Sequence, residues 1–136
     1  MPISPANALR AAVFQRLAAD APLLARLGAA RIHDEAPRGA PTPYVALSQS
    51  RTRDWSTMTE RGEEHALTID VWSTRPGARE ALEIASLVAA ALDDVALALV
   101  DHALVSLRVL DVEAARENVG RFTRARLRLR ALTERQ

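Results

Sequence analysis

Hydrophobic residues recur along this chain with the helical period in some segments and with the two-residue period of strands in others. A helical period predicts an amphipathic helix from Ser4 to about Ala19, since Ser4 and Pro5 suit an N-cap and a first helical position. Its apolar positions are Leu9, Ala12, Val13 and Leu17. A second short helix is predicted between Asp20, a capping residue, and Gly28, a residue suited to a helix end. Its apolar positions are Leu23, Leu24 and Leu27.

The middle of the chain has the two-residue period of strands. A short extended piece is expected around residues 31–33, and the Pro- and Gly-containing residues 36–43 predict a surface loop. Residues 44–53 alternate in part, and residues 64–73 alternate clearly, so both segments are predicted strands. The polar residues between them are long for a tight turn. The whole of 44–73 therefore predicts a long hairpin with a projecting loop.

The second half begins with a helix and ends with two strands. Pro76 and Gly77 precede a predicted helix over 78–92, whose apolar stripe should seal one face of the sheet. Asp93 and Asp94 follow this helix, where carboxylates oppose the helix dipole, and the sequence explains them only as helix termination. Strands are predicted over 103–113 and 121–132, with a turn at Glu117-Asn118-Val119-Gly120.

The order of these elements predicts the fold class. Strands that are grouped, without alternating strand–helix units, are typical of an α+β domain with a mostly antiparallel sheet. We expect about four strands, helices packed on one face, and a single domain over residues 1–136. A length of 136 residues, with 49% hydrophobic and 26% charged residues, fits one globular domain and excludes a disordered chain.

Composition and charge narrow the functions further. The chain has no cysteine, which excludes disulfides, thiolate metal sites and a cysteine nucleophile. The net charge is only +1, unlike the strong field of a nucleic-acid-binding domain, although all 18 basic residues are arginine. The N-terminus lacks a signal-peptide pattern, and no apolar run is long enough to span a bilayer. The expectation is a soluble protein made in the cytoplasm.

The residues suggest no catalytic, metal or cofactor site. His33, His65 and His102 lie in separate segments without metal-ligand spacing, so each is expected to be a polar surface or edge residue. The glycines are scattered singly, without a phosphate-binding loop. Asp70 is flanked by Ile69 and Val71, but strand alternation turns it to the opposite face, where we expect it to be solvated. We therefore expect no enzyme, no metal and no cofactor.

A row of arginines on the last predicted strand requires an explanation. The alternating residues that point away from the core are Arg124, Arg126, Arg128 and Arg130. One interpretation is a solvated face neutralised by cross-strand carboxylates from Asp70, Asp111 or Glu113. The other is a charged surface that faces a neighbouring subunit or passing DNA, with contacts that carry no sequence specificity.

The loop between the hairpin strands is the second candidate surface. Trp55 and Met58 stand among charged residues, and either Trp55 folds back onto the domain or the loop is an interface anchor. Trp, Met and Arg are enriched in protein–protein contacts. The candidate contact residues are Arg51, Arg53, Asp54, Trp55, Met58 and Arg61.

Several motifs, spread almost from end to end, carry a resemblance to a known family. They include Pro43-Tyr44-Val45, Arg53-Asp54-Trp55-Ser56-Thr57, and Leu67-Thr68-Ile69-Asp70-Val71-Trp72-Ser73. Others are Ala8-Leu9-Arg10-Ala11-Ala12-Val13, Leu17-Ala18-Ala19-Asp20, Arg31-Ile32-His33-Asp34-Glu35-Ala36-Pro37, the helix from Gly77, and Leu104-Val105-Ser106-Leu107-Arg108. Together they resemble the tail-completion or tail-terminator proteins of long-tailed phages, in the version found in gene transfer agents of alphaproteobacteria.

The resemblance implies a non-enzymatic particle protein, a sheet flanked by helices that forms a homo-hexameric ring. The ring would lie in the tail or neck of a phage-like particle, between the major tail tube protein and the head–tail connector. It would end tube polymerisation, and DNA would pass through its central hole without specific contacts. No membrane partner is implied. Alternatives are a connector stopper, a minor tail protein or, in a different class, a small protein-binding adaptor; an enzyme with no named reaction comes third.

Overall fold

The computed structural model describes residues 3–117 and 121–136, which form three helices and five strands. The helices are α1 (Pro5–Ala18), α2 (Ala21–Leu27) and α3 (Arg79–Leu92). The strands are β1 (Ile32–His33), β2 (Tyr44–Asp54), β3 (Gly62–Ser73), β4 (His102–Glu117) and β5 (Phe122–Arg135). The predicted turn after Glu117 lies outside the described residues at Asn118, Val119 and Gly120.

The strands form one sheet in the order β1-β2-β3-β5-β4. The pairs β2–β3, β3–β5 and β5–β4 are antiparallel, and only the two-residue strand β1 pairs in parallel, with Val45 and Ala46 of β2. The predicted α+β class with a mostly antiparallel sheet is therefore confirmed. The fifth strand is the extended piece around residues 31–33, which the sequence pattern did not assign to the sheet.

The three helices cover one face of the sheet. Helix α3 contacts β3, β4 and β5, whereas α1 contacts α3, β1 and β2. The predicted inward residues of the last strand, from Ala125 to Ala131, are buried under this layer together with the apolar stripe of α3. Both predicted N-caps form, because Ser4 Oγ accepts a hydrogen bond from Asn7 N and Asp20 Oδ1 accepts one from Leu23 N.

Strands β4 and β5 extend beyond their predicted ends, to Glu117 and Arg135 respectively. The added residues are mostly polar or small, so alternation alone did not include them. They are strand residues because ladder hydrogen bonds join the two strands from the His102–Arg135 pair to the Glu117–Phe122 pair. Two register shifts interrupt this ladder, at Val105 and at Leu110, where β4 has one extra residue.

Candidate interaction surfaces

The arginine row lies on the sheet face that the helices leave uncovered, and acidic side chains surround it. The ion pairs join Arg124 to Glu117, Arg126 to Asp70, Arg128 to Asp111, and Arg130 to Glu64. These carboxylates come from β3 and β4, which flank β5 on its two sides. The hydrogen bond from Arg130 is the main cause that lowers the pKa of Glu64. The row is therefore neutralised by cross-strand carboxylates, as one of the two interpretations expects.

Asp70 is buried, with only 3% of its surface exposed, so its expected solvation was wrong. Its orientation away from Ile69 and Val71 was correct, since its register partner is Arg126 of the outward row. Arg126 Nε and Nη2 donate to the two carboxylate oxygens of Asp70 at 2.8 and 3.0 Å. A guanidinium that binds a carboxylate through two nitrogens also covers it, which explains the burial. The same pair raises the pKa of Arg126.

An aromatic cluster occupies one end of this open face, where β2 and β5 begin and β3 ends. Trp72 stacks on Tyr44 at 6.5 Å and meets Phe122 edge-on at 5.6 Å, measured between ring centroids. The guanidinium of Arg124 lies 5.9 Å from the centre of the Trp72 ring, within range of a cation–π contact. Burial, followed by the charge of Asp70, raises the pKa of Tyr44. Sequence reasoning missed this cluster, because strand register decides which aromatic residues are neighbours.

The loop from residue 55 to residue 61 joins β2 to β3 and is closed by local hydrogen bonds. Trp55 N donates to the carbonyl of Gly62 at 2.8 Å, and Asp54 Oδ1 accepts from Ser56 N at 3.1 Å. The side-chain hydrogen bond from Ser56 is the main cause that lowers the pKa of Asp54. This loop holds three of the candidate contact residues, and Arg51, Arg53 and Asp54 precede it on β2.

Trp55 partly folds back, yet it remains a surface residue. A Cβ added at Gly62 would stand 3.2 Å from Trp55 Cε3, so the indole packs where this glycine leaves space. The side chain nevertheless keeps 43% of its surface exposed, and Met58 is fully exposed at the loop tip. Exposed apolar side chains of this size are common at protein contacts.

His65 was wrongly expected at the surface or at an edge, whereas His102 does begin the edge strand β4 but is buried there. His65 is fully buried near the loop end of the hairpin, where Thr52 Oγ1 lies 3.1 Å from Nδ1 and Thr133 Oγ1 lies 2.9 Å from Nε2. Hydroxyl groups on both flanking strands satisfy both ring nitrogens, which makes burial of the neutral ring tolerable. His102 is also buried, and its Nε2 lies 3.0 Å from the carbonyl oxygen of Ile3. His33 is half-buried beside Tyr44.

Asp93 and Asp94, which the sequence explained only as helix termination, tie the end of α3 to β4. Asp93 Oδ1 accepts from Val109 N at 2.9 Å and from Arg108 Nε at 3.1 Å. Asp94 N donates to the carbonyl of Leu107 at 2.8 Å. A further bridge joins Ala98 to Ala103. The connection that follows α3 therefore covers the first half of the outer edge of β4.

Both outer strands keep a free stretch of edge in the part of the chain that the structure describes. On β2, β1 pairs only with Val45 and Ala46, and the Arg10 guanidinium lies 3.4 Å from the carbonyl oxygens of Leu47 and Ser48. Residues 49–54 then have a strand neighbour on one side only. On β4 the corresponding free stretch begins after residue 109 and runs to residue 117.

In residues 3–117 and 121–136, no three His, Asp or Glu side chains come close enough together to hold a metal ion. None of the described helices has the length and apolar character that crossing a bilayer requires.

Free stretches of strand edge are places where a strand of another chain can pair. Comparison with known proteins shows the family. The family described as tail completion protein gp17 matches residues 11–134, and the chain belongs to this family. It is a structural protein of a phage-like tail.

Two solved structures extend the comparison. A chain from a structure titled "Virion of native gene transfer agent (GTA) particle" is 36% identical, with a TM-score of 0.86 and coverage of 95% of this chain and 96% of that chain. A second solved chain, 17% identical with a TM-score of 0.55, covers 96% and 94% and shares the fold. No curated protein sequence matches significantly. The resemblance read from the motifs is thereby confirmed.

Proposed function

We propose that this protein is a tail-terminator subunit with no enzymatic activity. Six copies would form a ring between the tail tube and the head–tail connector of a phage-like particle. The ring would stop tube polymerisation, present one surface to the tube protein and another to the connector, and leave a central passage for DNA. The chain would be made in the bacterial cytoplasm and incorporated into the particle.

The observation that carries this proposal is the similarity to a chain of a gene transfer agent particle over nearly the full length of both chains. At 36% identity and a TM-score of 0.86, the arrangement of surfaces should be retained as well as the core. The described surface adds support, because a sheet with free stretches on both outer strands offers two different patches. A contact between different patches of identical copies generates rings when the rotation closes.

The open face with Arg124, Arg126, Arg128 and Arg130 is proposed to line the passage or to meet a partner subunit. Because these arginines already pair with carboxylates, they would exchange few counterions with DNA and would hold it weakly. Weak contacts without sequence specificity suit a genome that must slide past. The loop residues Arg51, Arg53, Asp54, Trp55, Met58 and Arg61 are proposed to contact an adjacent ring or tube subunit.

Removing the gene from the cells that make the particle tests the proposal. We expect tail tubes of uncontrolled length that are not joined to heads, and normal particles when the gene is restored. A density map of restored particles should contain this chain at the head–tail junction. Tails of normal length that fail to join heads would instead indicate a connector stopper. Density elsewhere along the tail would indicate a minor tail protein.

A further inference from the structure

We propose that neighbouring copies of this chain join edge to edge, with the end of β4 from one copy added to the free stretch of β2 from the next. In this contact Arg51 and Arg53 of one copy face Glu113 and Asp111 of the other. The proposal rests on the proposed function, since it names the contact between copies that a ring would use.

The directions of the strands permit this pairing. Strands β2 and β5 run the same way, and β3 and β4 run the opposite way, because the three long pairs are antiparallel. A second copy whose sheet continues that of the first therefore brings its β4 antiparallel to β2. That is the orientation in which β2 already pairs with β3. The two edges differ, so each copy contacts one neighbour through β2 and the other neighbour through β4, as a ring requires.

The two edges cannot pair with both copies at the same height, because parts of both edges are already covered. Arg51 pairs with Ala66, Ala66 pairs with Arg130, and Arg130 pairs with Arg108, so Arg51 and Arg108 lie at the same height in the sheet. A contact without a shift would therefore set these two arginines of neighbouring copies opposite each other. It would also need the edge at residues 107–109, where Asp93 and Asp94 already bond. At its other end, the last residues of β4 would meet Val45 and Ala46, which β1 occupies. The second copy must therefore be displaced along the strands.

A displacement of four residues brings residues 111–115 of β4 beside the free stretch of β2, and the pairing ends there, because Arg116 and Glu117 would reach Leu47 and Ala46. Arg51 lies at the height of Arg130 on β5, and Glu113 lies at the height of Arg126. Arg126 and Arg130 are four residues apart, so a displacement of β4 by four residues sets Glu113 opposite Arg51. The same movement sets Asp111 opposite Arg53. An even displacement keeps all four side chains on the open face of the sheet. The paired stretch of β4 then starts at Asp111, immediately after the register shift at Leu110, where the strand is regular.

Charge and apolar surface both agree with this register. Arg51, Arg53, Asp111 and Glu113 are all exposed, and Glu113 keeps 61% of its side chain accessible. Opposite charges set directly across a strand pair favour one register and disfavour the unshifted one. The loop with Trp55 and Met58 would lie level with the first half of β4 and the connection before it. Val100, Val105 and Leu110 are exposed there and would gain apolar cover.

The displacement also agrees with closure into a ring. Four long strands per copy and a stagger of four residues give about one residue of stagger per strand, as in the eight-stranded barrel with a shear of eight. A sheet without stagger has strands parallel to the axis, whereas closed sheets have strands that tilt.

Cysteine cross-linking in assembled particles tests the contact, since the natural chain has no cysteine. Particles are prepared with Arg51→Cys and Glu113→Cys in the same chain, oxidised mildly, and analysed on a denaturing gel without reductant. We expect a ladder of linked chains up to the full ring. The matched control, Arg51→Cys with Arg108→Cys, represents the unshifted register and should give monomers. Monomers from the first pair in particles that contain the chain, or a ladder from the control, would overturn the proposal.

Charge reversal gives a second readout that does not depend on a thiol. Arg51→Glu alone and Glu113→Arg alone should each lower the yield of complete particles at least tenfold, and the two together should restore it. Equal losses in the double variant and the single variants would contradict the contact. If wild-type particles lack the chain, the proposed function fails, and the same cysteine pairs in concentrated purified protein decide the contact. A ladder from the first pair there supports the contact, and monomers overturn it.

Discussion

At the scale of single residues, substitution at the Asp70–Arg126 pair should lower the stability of the fold the most. Both carboxylate oxygens of Asp70 are bonded to one guanidinium, and the carboxylate has little contact with water. A buried pair contributes little net stability compared with an apolar pair of the same shape, because both charges have lost their hydration. Removal of one partner is different, since it leaves a buried charge that nothing neutralises.

We therefore expect Arg126→Met, which keeps Asp70 covered but cannot neutralise it, to lower the free energy of unfolding by about 3–5 kcal/mol, the range for broken buried ion pairs. The matched control is Arg128→Met, which removes the charge of a neighbouring arginine of the same row whose partner Asp111 is exposed. This control should change the stability little. Urea unfolding followed by circular dichroism measures both variants. Equal effects would mean that burial of Asp70 is not what makes its ion pair important.

The ionisation of His65 should change the stability of the whole fold. Burial is the main cause that lowers its pKa below the ordinary value of 6.5, and the nearby charge of Glu63 opposes this effect. The unfolded chain therefore takes up this proton at a higher pH than the folded chain does. The stabilising contribution is complete above pH 6.5, and it is lost as the pH falls from 6.5 toward the folded-state pKa.

We expect the unfolding free energy of the natural protein to decrease between pH 6.5 and 5, and the decrease to be smaller in His65→Gln. The carboxyl groups with lowered pKa, such as Glu64 with an ordinary value of 4.5, lose their contribution mainly at lower pH. Urea titrations at several pH values supply the slopes. Identical slopes for the two proteins between pH 6.5 and 5 would exclude His65 as the cause.

At the scale of elements, the hairpin loop combines a rigid base with an exposed apolar tip. The base is held by β2–β3 pairs up to Asp54 and Glu63 and by the packing of Trp55 on Gly62. Such a loop can present side chains to a partner with little loss of conformational entropy on binding. A preorganised loop of this kind should be replaceable in sequence without unfolding the domain.

Replacing Trp55 and Arg53 together with alanine should leave a folded monomer that no longer joins particles. The fold should survive because both side chains are exposed and neither belongs to the buried core. Circular dichroism of the purified variant and a count of the chain in purified particles check the two parts. Arg38→Ala, an exposed arginine in the loop before β2, is the matched control. Normal incorporation of the Trp55 and Arg53 variant would show that the loop is not an anchor.

At the scale of the whole molecule, the mass of the assembly distinguishes a ring protein from an adaptor. A ring of six 14.8 kDa chains has a mass of about 89 kDa, whereas an adaptor would stay at the mass of one chain. Purified particles are the suitable sample, because a ring that forms only on the tail would leave the free chain monomeric.

The amino-acid sequence by itself determined the elements and the inward residues of this protein. Local patterns suffice for that, because Ser4 and Asp20 cap their own helices and the alternation from Ala125 to Ala131 follows from strand geometry alone. Of the candidate surfaces, the sequence located the arginine row and the loop with Trp55. It also supplied the family through motifs whose combined pattern is specific.

Only the tertiary structure decided which side chains meet. The burial of Asp70 and His65, the aromatic cluster around Trp72 and the link from Asp93 to β4 all join residues that are distant in sequence or depend on strand register. Register and layer packing are set by the summed free energy of many contacts, so a single strand's pattern cannot specify them. The free stretches of β2 and β4 are likewise defined by what the rest of the fold leaves uncovered.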